Sequence, residues 1–155
     1  MEKGVAKEGK GTYVMILRLQ EEKKIEVGDL GNFRFTKGYY AYVGSAFGKG
    51  GLRQRISHHV NRADNPHWHI DYLRAYAEPV EVWVTKSVHK MEHVWANIMR
   101  NMPGGNFFLT GFGSSDCKCV SHLYYFSSLP CFQSFKNLLV TNRVSEIDVE
   151  RVLIQ

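Results

Sequence analysis

Arginine and histidine gather on one short stretch, Leu52-Arg53-Gln54-Arg55-Ile56-Ser57-His58-His59-Val60-Asn61-Arg62. Leu52, Ile56 and Val60, with Ala63 beside them, recur at helical spacing. With Leu52 as origin and about 100° per residue, these four span roughly 0–80° of the helix wheel. Arg55, His59 and Arg62 fall at roughly 280–340°, and Arg53 lies at about 100° on the other side. The expected result is a cationic stripe along one border of a buried face. A charge there is half-shielded from water and acts at a lower effective dielectric than one in open solvent. Such donors suit a phosphate, for which arginine offers a planar fork. A solvated basic helix flank would carry the same residues, and His58 reads as solvent-facing.

Two other clusters hold ligand-type atoms. Cys117-x-Cys119-x-x-His122, with Cys131 nearby, offers thiolate and imidazole groups of the kind zinc takes tetrahedrally. The C-x-C spacing is tighter than the usual C-x-x-C knuckle and leaves the fourth ligand open. The alternative is reduced thiols in a packed segment. His67 and His69 flank Trp68; on a helix both cannot share its face, so one of them is structural.

The elements that position these groups follow from periodicity. Gly11–Leu19 is mostly apolar and reads as a strand buried on both faces. Ile25–Val27 and Phe33–Phe35 flank the turn chemistry of Gly28–Asn32 and form a hairpin. In Gly38–Ala46, Tyr40 and Tyr42 alternate with Ala41 and Val43, a strand pattern, and Phe47–Gly51 is a tight turn. The Leu52–Ala63 helix ends at Asp64-Asn65-Pro66. His67–Ala77 reads as a helix that Asn65 could cap. Val80–Val84 is a strand opened by Pro79, and His89–Met102 a helix. The apolar stripe of that helix is Val88, Met91, Val94, Trp95, Ile98, Met99 and Met102, with Glu92 at its edge. Leu123–Phe126 reads as a strand and Pro130–Val140 as a helix with Phe132, Phe135, Leu138 and Leu139 inward. Met1–Lys10 is expected to be a flexible leader, residues 11–140 one domain, and 141–155 a short helix or loosely held tail.

Composition narrows the classes. An apolar fraction of 44% over 155 residues is that of a globular chain with a real core, not a disordered one. The net charge of +5 suits a polyanionic partner. No apolar run approaches a membrane span, and no signal peptide is visible. Three cysteines in such a chain read as reduced thiols in the cytoplasm.

Four motifs in order resemble the GIY-YIG nuclease superfamily. Gly11-Thr12-Tyr13 stands at its first signature tripeptide, and Tyr42-Val43-Gly44, followed by Ser45-Ala46, at its second. Arg55-Ile56-Ser57-His58-His59 matches the Arg-x-x-x-His helix, and Glu92 the single metal-binding glutamate. Tyr39–Ala46, His67–Leu73 and Gly111–Leu123 look like an archaeal and bacterial branch labelled as a domain of unknown function (DUF123-like). The resemblance covers roughly residues 11–126. Thr12 replaces the signature isoleucine, and Tyr13 and Tyr42 stand 29 positions apart, a wide gap that the 25–35 hairpin would absorb. The turn before the arginine helix is also long, which makes Arg53 a rival for Arg55.

The resemblance implies an α/β (α+β) domain with a small, mostly antiparallel central sheet flanked by helices, and an extra hairpin between the first two core strands. It also implies metal-dependent hydrolysis of a DNA phosphodiester, in repair or processing. Glu92 would hold one Mg²⁺ (or Mn²⁺), largely through water, and Arg55 would bind phosphate. Tyr13 or Tyr42 would accept a proton from the attacking water, which requires a cation to lower a phenol that titrates near pH 10. His59 could relay or donate a proton, with His67 or His69 a second such group. Gly44, Ser45 and Arg62 are accessory candidates, and Asp116 and His122 could face the same cleft. A non-catalytic nucleic-acid-binding module on the same fold is the alternative, and a zinc-stabilised interaction module a further one.

Overall fold

The computed structural model describes residues 9–61, 65–107, 111–113, 121–143 and 148–154. The runs read as strands and helices organise as an α+β fold. Strands β1 (Gly11–Leu19), β4 (Gly38–Ala46), β5 (Glu78–Thr85), β6 (Asn106–Phe107), β7 (Leu123–Phe126) and β8 (Glu150–Leu153) form one sheet in the order β6-β7-β4-β1-β5-β8. Every neighbouring pair in it is antiparallel. The hairpin expected between the first two core strands is present as β2 (Lys23–Val27) and β3 (Gly31–Phe35), joined by a 3₁₀ turn at Gly28–Leu30. Among the described residues no helix is long and apolar enough to cross a membrane.

Alternation along β1 divides the core in two. Tyr13, Met15 and Leu17 point to one face, where α1 (Gly51–Val60), α2 (His69–Arg74) and the hairpin cover them with Leu52, Ile56, Ile70, Leu73, Ile25 and Val27. Val14 and Ile16 point to the other, under Trp95, Met99, Phe135 and Leu139 of α3 (Glu92–Arg100) and α4 (Phe132–Thr141). A strand buried on both faces needs this continuous apolar run.

Three expectations need correction. The helix expected from His67 begins at His69, and its first turn is held by Asp71 rather than Asn65. The Asp71 carboxylate accepts the backbone N–H groups of His67 at 2.7 Å and Trp68 at 2.9 Å. The helix expected from His89 begins at Glu92, because side-chain hydroxyls take the backbone donors ahead of it. Ser87 Oγ accepts from His89 N and Thr12 Oγ1 from Met91 N. Val88, assigned to the apolar stripe, precedes the helix and is 81% exposed, and Val94, within it, is 41% exposed and lies off the buried face. Last, the helix or loose tail expected over 141–155 ends instead in β8, paired with β5 from Glu81↔Leu153 to Val84↔Glu150. The leader falls mostly on residues 1–8, outside the described residues.

Candidate active site

The signature strands lie side by side because Tyr13 of β1 is the register partner of Gly44 of β4. Directly opposed residues of an antiparallel pair share a face, and the Tyr13 ring folds over its partner. A Cβ at position 44 would sit 2.5 Å from Tyr13 Cζ, so only glycine admits the ring. Gly11 is held in the same way: a Cβ there would strike the Thr85 carbonyl oxygen. The phenol of Tyr13 is fully buried and meets His59 Nε2 of α1 at 2.7 Å.

One cleft of about 290 Å³ opens between β4, the middle of α1 and the first turn of α3. It is lined by Tyr42, Ser45, Arg55, Trp68, Lys90, Glu92, His93, Gly113 and His122. Three of the expected residues, Tyr42, Arg55 and Glu92, therefore share a wall. Tyr13 and His59 do not line it; they form a buried layer behind Tyr42, with ring centroids 6.4 and 5.9 Å from it.

Arg55 is fixed on two sides. One guanidinium nitrogen donates to the Ser45 carbonyl at 2.9 Å, and the guanidinium carbon lies 4.2 Å from the Trp68 ring centroid. Arg53 is exposed and does not line this cleft, whereas Arg55 does. Glu92 is the first residue of α3, where a carboxylate complements the helix dipole. Ser45 Oγ donates to its Oε1 at 3.2 Å, and His122 Nδ1 lies 3.0 Å from its Oε2. Burial works against the Glu92 charge, but His122, Ser45 and His93 outweigh it and hold the carboxyl below its ordinary value.

The phenols and the imidazole titrate otherwise than a base catalyst requires. Burial pushes Tyr13 well above the ordinary phenol value, its Tyr42 neighbour adding to the shift against Arg55. Burial and the Glu92 charge push Tyr42 up as well. Both are protonated at neutral pH. His59 is 1% exposed, and burial lowers it to about 3 despite the Asp71 charge. The expected cationic stripe is corrected at His59, which is neutral; Arg55 lines the cleft, and Arg62 lies outside the described residues.

The remaining candidates separate clearly. His69 is structural, its Nδ1 accepting the Gly113 N–H at 2.9 Å. His67 packs edge-on against Trp68 at 4.5 Å. His58 does not face solvent freely; its Nε2 is 3.0 Å from Asp71 Oδ1. Of the zinc candidates, Cys117 and Cys119 fall outside the described residues, as does Asp116; Cys131 is exposed and His122 lies against Glu92. Sequence reasoning missed Asp71, Trp68 as the Arg55 platform, Lys90 and His93. The one signal was Trp68 itself, a large aromatic set between two histidines directly after a helix break.

The groups toward the cleft that could hold a metal are the Glu92 carboxylate, the Ser45 and Tyr42 hydroxyls and the imidazoles of His93 and His122. His122 is engaged with Glu92 Oε2 at 3.0 Å, and the single carboxylate with its hydroxyls fits a largely hydrated Mg²⁺ or Mn²⁺. Comparison with known proteins adds the family: the model described as "Domain of unknown function DUF123" matches residues 12–143. No match was found among curated proteins or solved structures.

Proposed function

The chain belongs to the DUF123 family, and we propose that it is a metal-dependent endonuclease of GIY-YIG type that hydrolyses DNA phosphodiesters. What carries the reading is that Tyr42, Arg55 and Glu92 line one cleft although they come from β4, α1 and α3. A pure binder has no need of an ionised carboxylate beside a phosphate, where it would repel the ligand.

Arg55, immobilised by Ser45 and Trp68, presents its remaining donors to the non-bridging oxygens, where charge grows as water attacks phosphorus. Lys90, from the same wall, adds to the field that draws the backbone in. Glu92, held by Ser45 and His122, would carry the divalent ion, which when bound supplies an acidified water and charge for the leaving 3′ oxygen. Tyr42 positions the water through its hydroxyl. Burial is the main cause of its raised value, with the Glu92 charge second, so Tyr42 acts through its neutral hydroxyl. The water oxygen bonds to phosphorus as its proton passes to solvent, the P–O3′ bond breaks, and the leaving 3′ oxygen takes a proton back from solvent.

The test is a panel of labelled duplex, flap, branched and single-stranded DNA, with RNA counterparts, in Mg²⁺ and Mn²⁺. Wild type should cleave at least one DNA substrate, with Arg55→Ala and Glu92→Gln each lowering the rate about 100-fold or more at unchanged far-UV circular dichroism. Salt-sensitive binding without turnover in either ion would replace the enzyme with a binding module on the same fold.

A further inference from the structure

We propose that His58, His59 and Asp71 form a second metal site, between α1 and α2, for a late first-row divalent ion with Zn²⁺ as its type. The three donor atoms lie within 4.8 Å of one another. His58 Nε2 is 3.0 Å and His59 Nδ1 4.0 Å from Asp71 Oδ1. Zinc bonds of about 2.0–2.2 Å place tetrahedral donors roughly 3.5 Å apart, so these atoms bracket the required spacing and close on an ion by small shifts.

His59 supplies the independent observation. Its ring is 1% exposed, yet Nδ1 has no hydrogen-bond partner. Burying such a group unsatisfied is costly, and this one lies beside the Asp71 carboxylate. Its other nitrogen, Nε2, is held by Tyr13. A ligating imidazole ordinarily has its second nitrogen engaged in this way, which sets the tautomer and the ring orientation. Asp71 is oriented likewise, with Oδ2 taken by the backbone N–H groups of His67 and Trp68 and Oδ1 left toward the histidines. At His59 the Asp71 charge acts against those of Arg55 and Arg74.

Two imidazoles and one carboxylate favour Zn²⁺, Fe²⁺ or Co²⁺ over Mg²⁺, which prefers all-oxygen sites. Access is through His58, whose side chain is 28% exposed and lines a second pocket with Arg55, Trp68 and Gln54. Water from that side completes the coordination. The ion would also reach Tyr13. With a metal on Nδ1, Nε2 must carry the proton, so His59 donates and the Tyr13 oxygen accepts. Metal binding at this site does not require nuclease activity.

Protein freed of metal by a chelator is titrated with Co²⁺ and followed by visible absorption, then challenged with Zn²⁺. One equivalent should bind with ligand-field bands, without the near-ultraviolet band of a cobalt thiolate, and be displaced by Zn²⁺. Binding should be lost in His58→Gln and Asp71→Asn and retained in Glu92→Gln. Tyr13→Phe should weaken it about 10-fold or more by removing the partner of Nε2. Asparagine keeps an oxygen for the two backbone donors, and circular dichroism verifies each fold. No binding at millimolar Co²⁺, a thiolate band, or binding undiminished in both ligand variants would overturn the site.

Discussion

Tyr13 and His59 form a hydrogen-bonded pair sealed beneath the cleft, and the pair has a consequence for stability. His59 is lowered to about 3 in the fold, against about 6.5 for an exposed imidazole. Between these values the unfolded chain binds a proton that the folded chain refuses. Stability therefore rises with pH in that window, is complete above about pH 6.5, and falls on acidification. The limiting slope for one such group is about 1.4 kcal/mol per pH unit. Asp71 and Glu92, both held below their ordinary values, add losses only at lower pH, as carboxylates begin to protonate. Urea midpoints measured with chelator present should decline already between pH 7 and 5, and His59→Gln should flatten that part of the profile. An unchanged slope in His59→Gln would mean that another group is responsible.

At the scale of elements, the C-terminus of α1 is held by a residue of α2. Arg74 is largely buried and donates to the carbonyls of His59 at 2.7 Å, Val60 at 2.8 Å and Ala77 at 3.2 Å. The last carbonyls of a helix have no partner within it, and a cation there also meets the negative end of its dipole. This anchor fixes His59 beneath the cleft and, one turn earlier, Arg55 at its wall. Arg74→Leu should cost about 2–4 kcal/mol by orphaning these acceptors. Chemical denaturation gives the total, and amide exchange should rise first at the C-terminal end of α1. A loss below about 0.5 kcal/mol would place Arg74 among ordinary surface residues.

For the whole molecule, the +5 charge bears on association rather than on the fold. Each phosphate neutralised by a cation contributes about −0.9 to the slope of log affinity against log salt for duplex DNA. Lys90→Ala, at the cleft, should weaken DNA binding similarly across sequences and reduce that slope by about 1. Glu22→Gln, on an exposed pair with Arg34 near the hairpin, should leave the slope alone. The two substitutions change the +5 charge by −1 and +1, so effects equal in size and opposite in sign would show that net charge, not the cleft, attracts the ligand.

What the residue order determined by itself was everything that a period and its neighbours control. Alternation in Tyr40–Val43, the unbroken apolar run of β1 and the helical spacing of Leu52, Ile56 and Val60 announce their elements, because each side chain's face follows from its own position. The wheel also separated Arg55 from Arg53. Other features depend on partners far away in the chain. Glu150–Leu153 is too short to declare itself and is a strand only because β5 offers an open edge. The start of α3 is set by a hydroxyl from β1, and α2 is held by the side chain of Asp71. The neutrality of His59 and the protonated phenols are likewise tertiary facts. Burial, not residue type, sets those charges, and burial exists only once both layers close on the sheet.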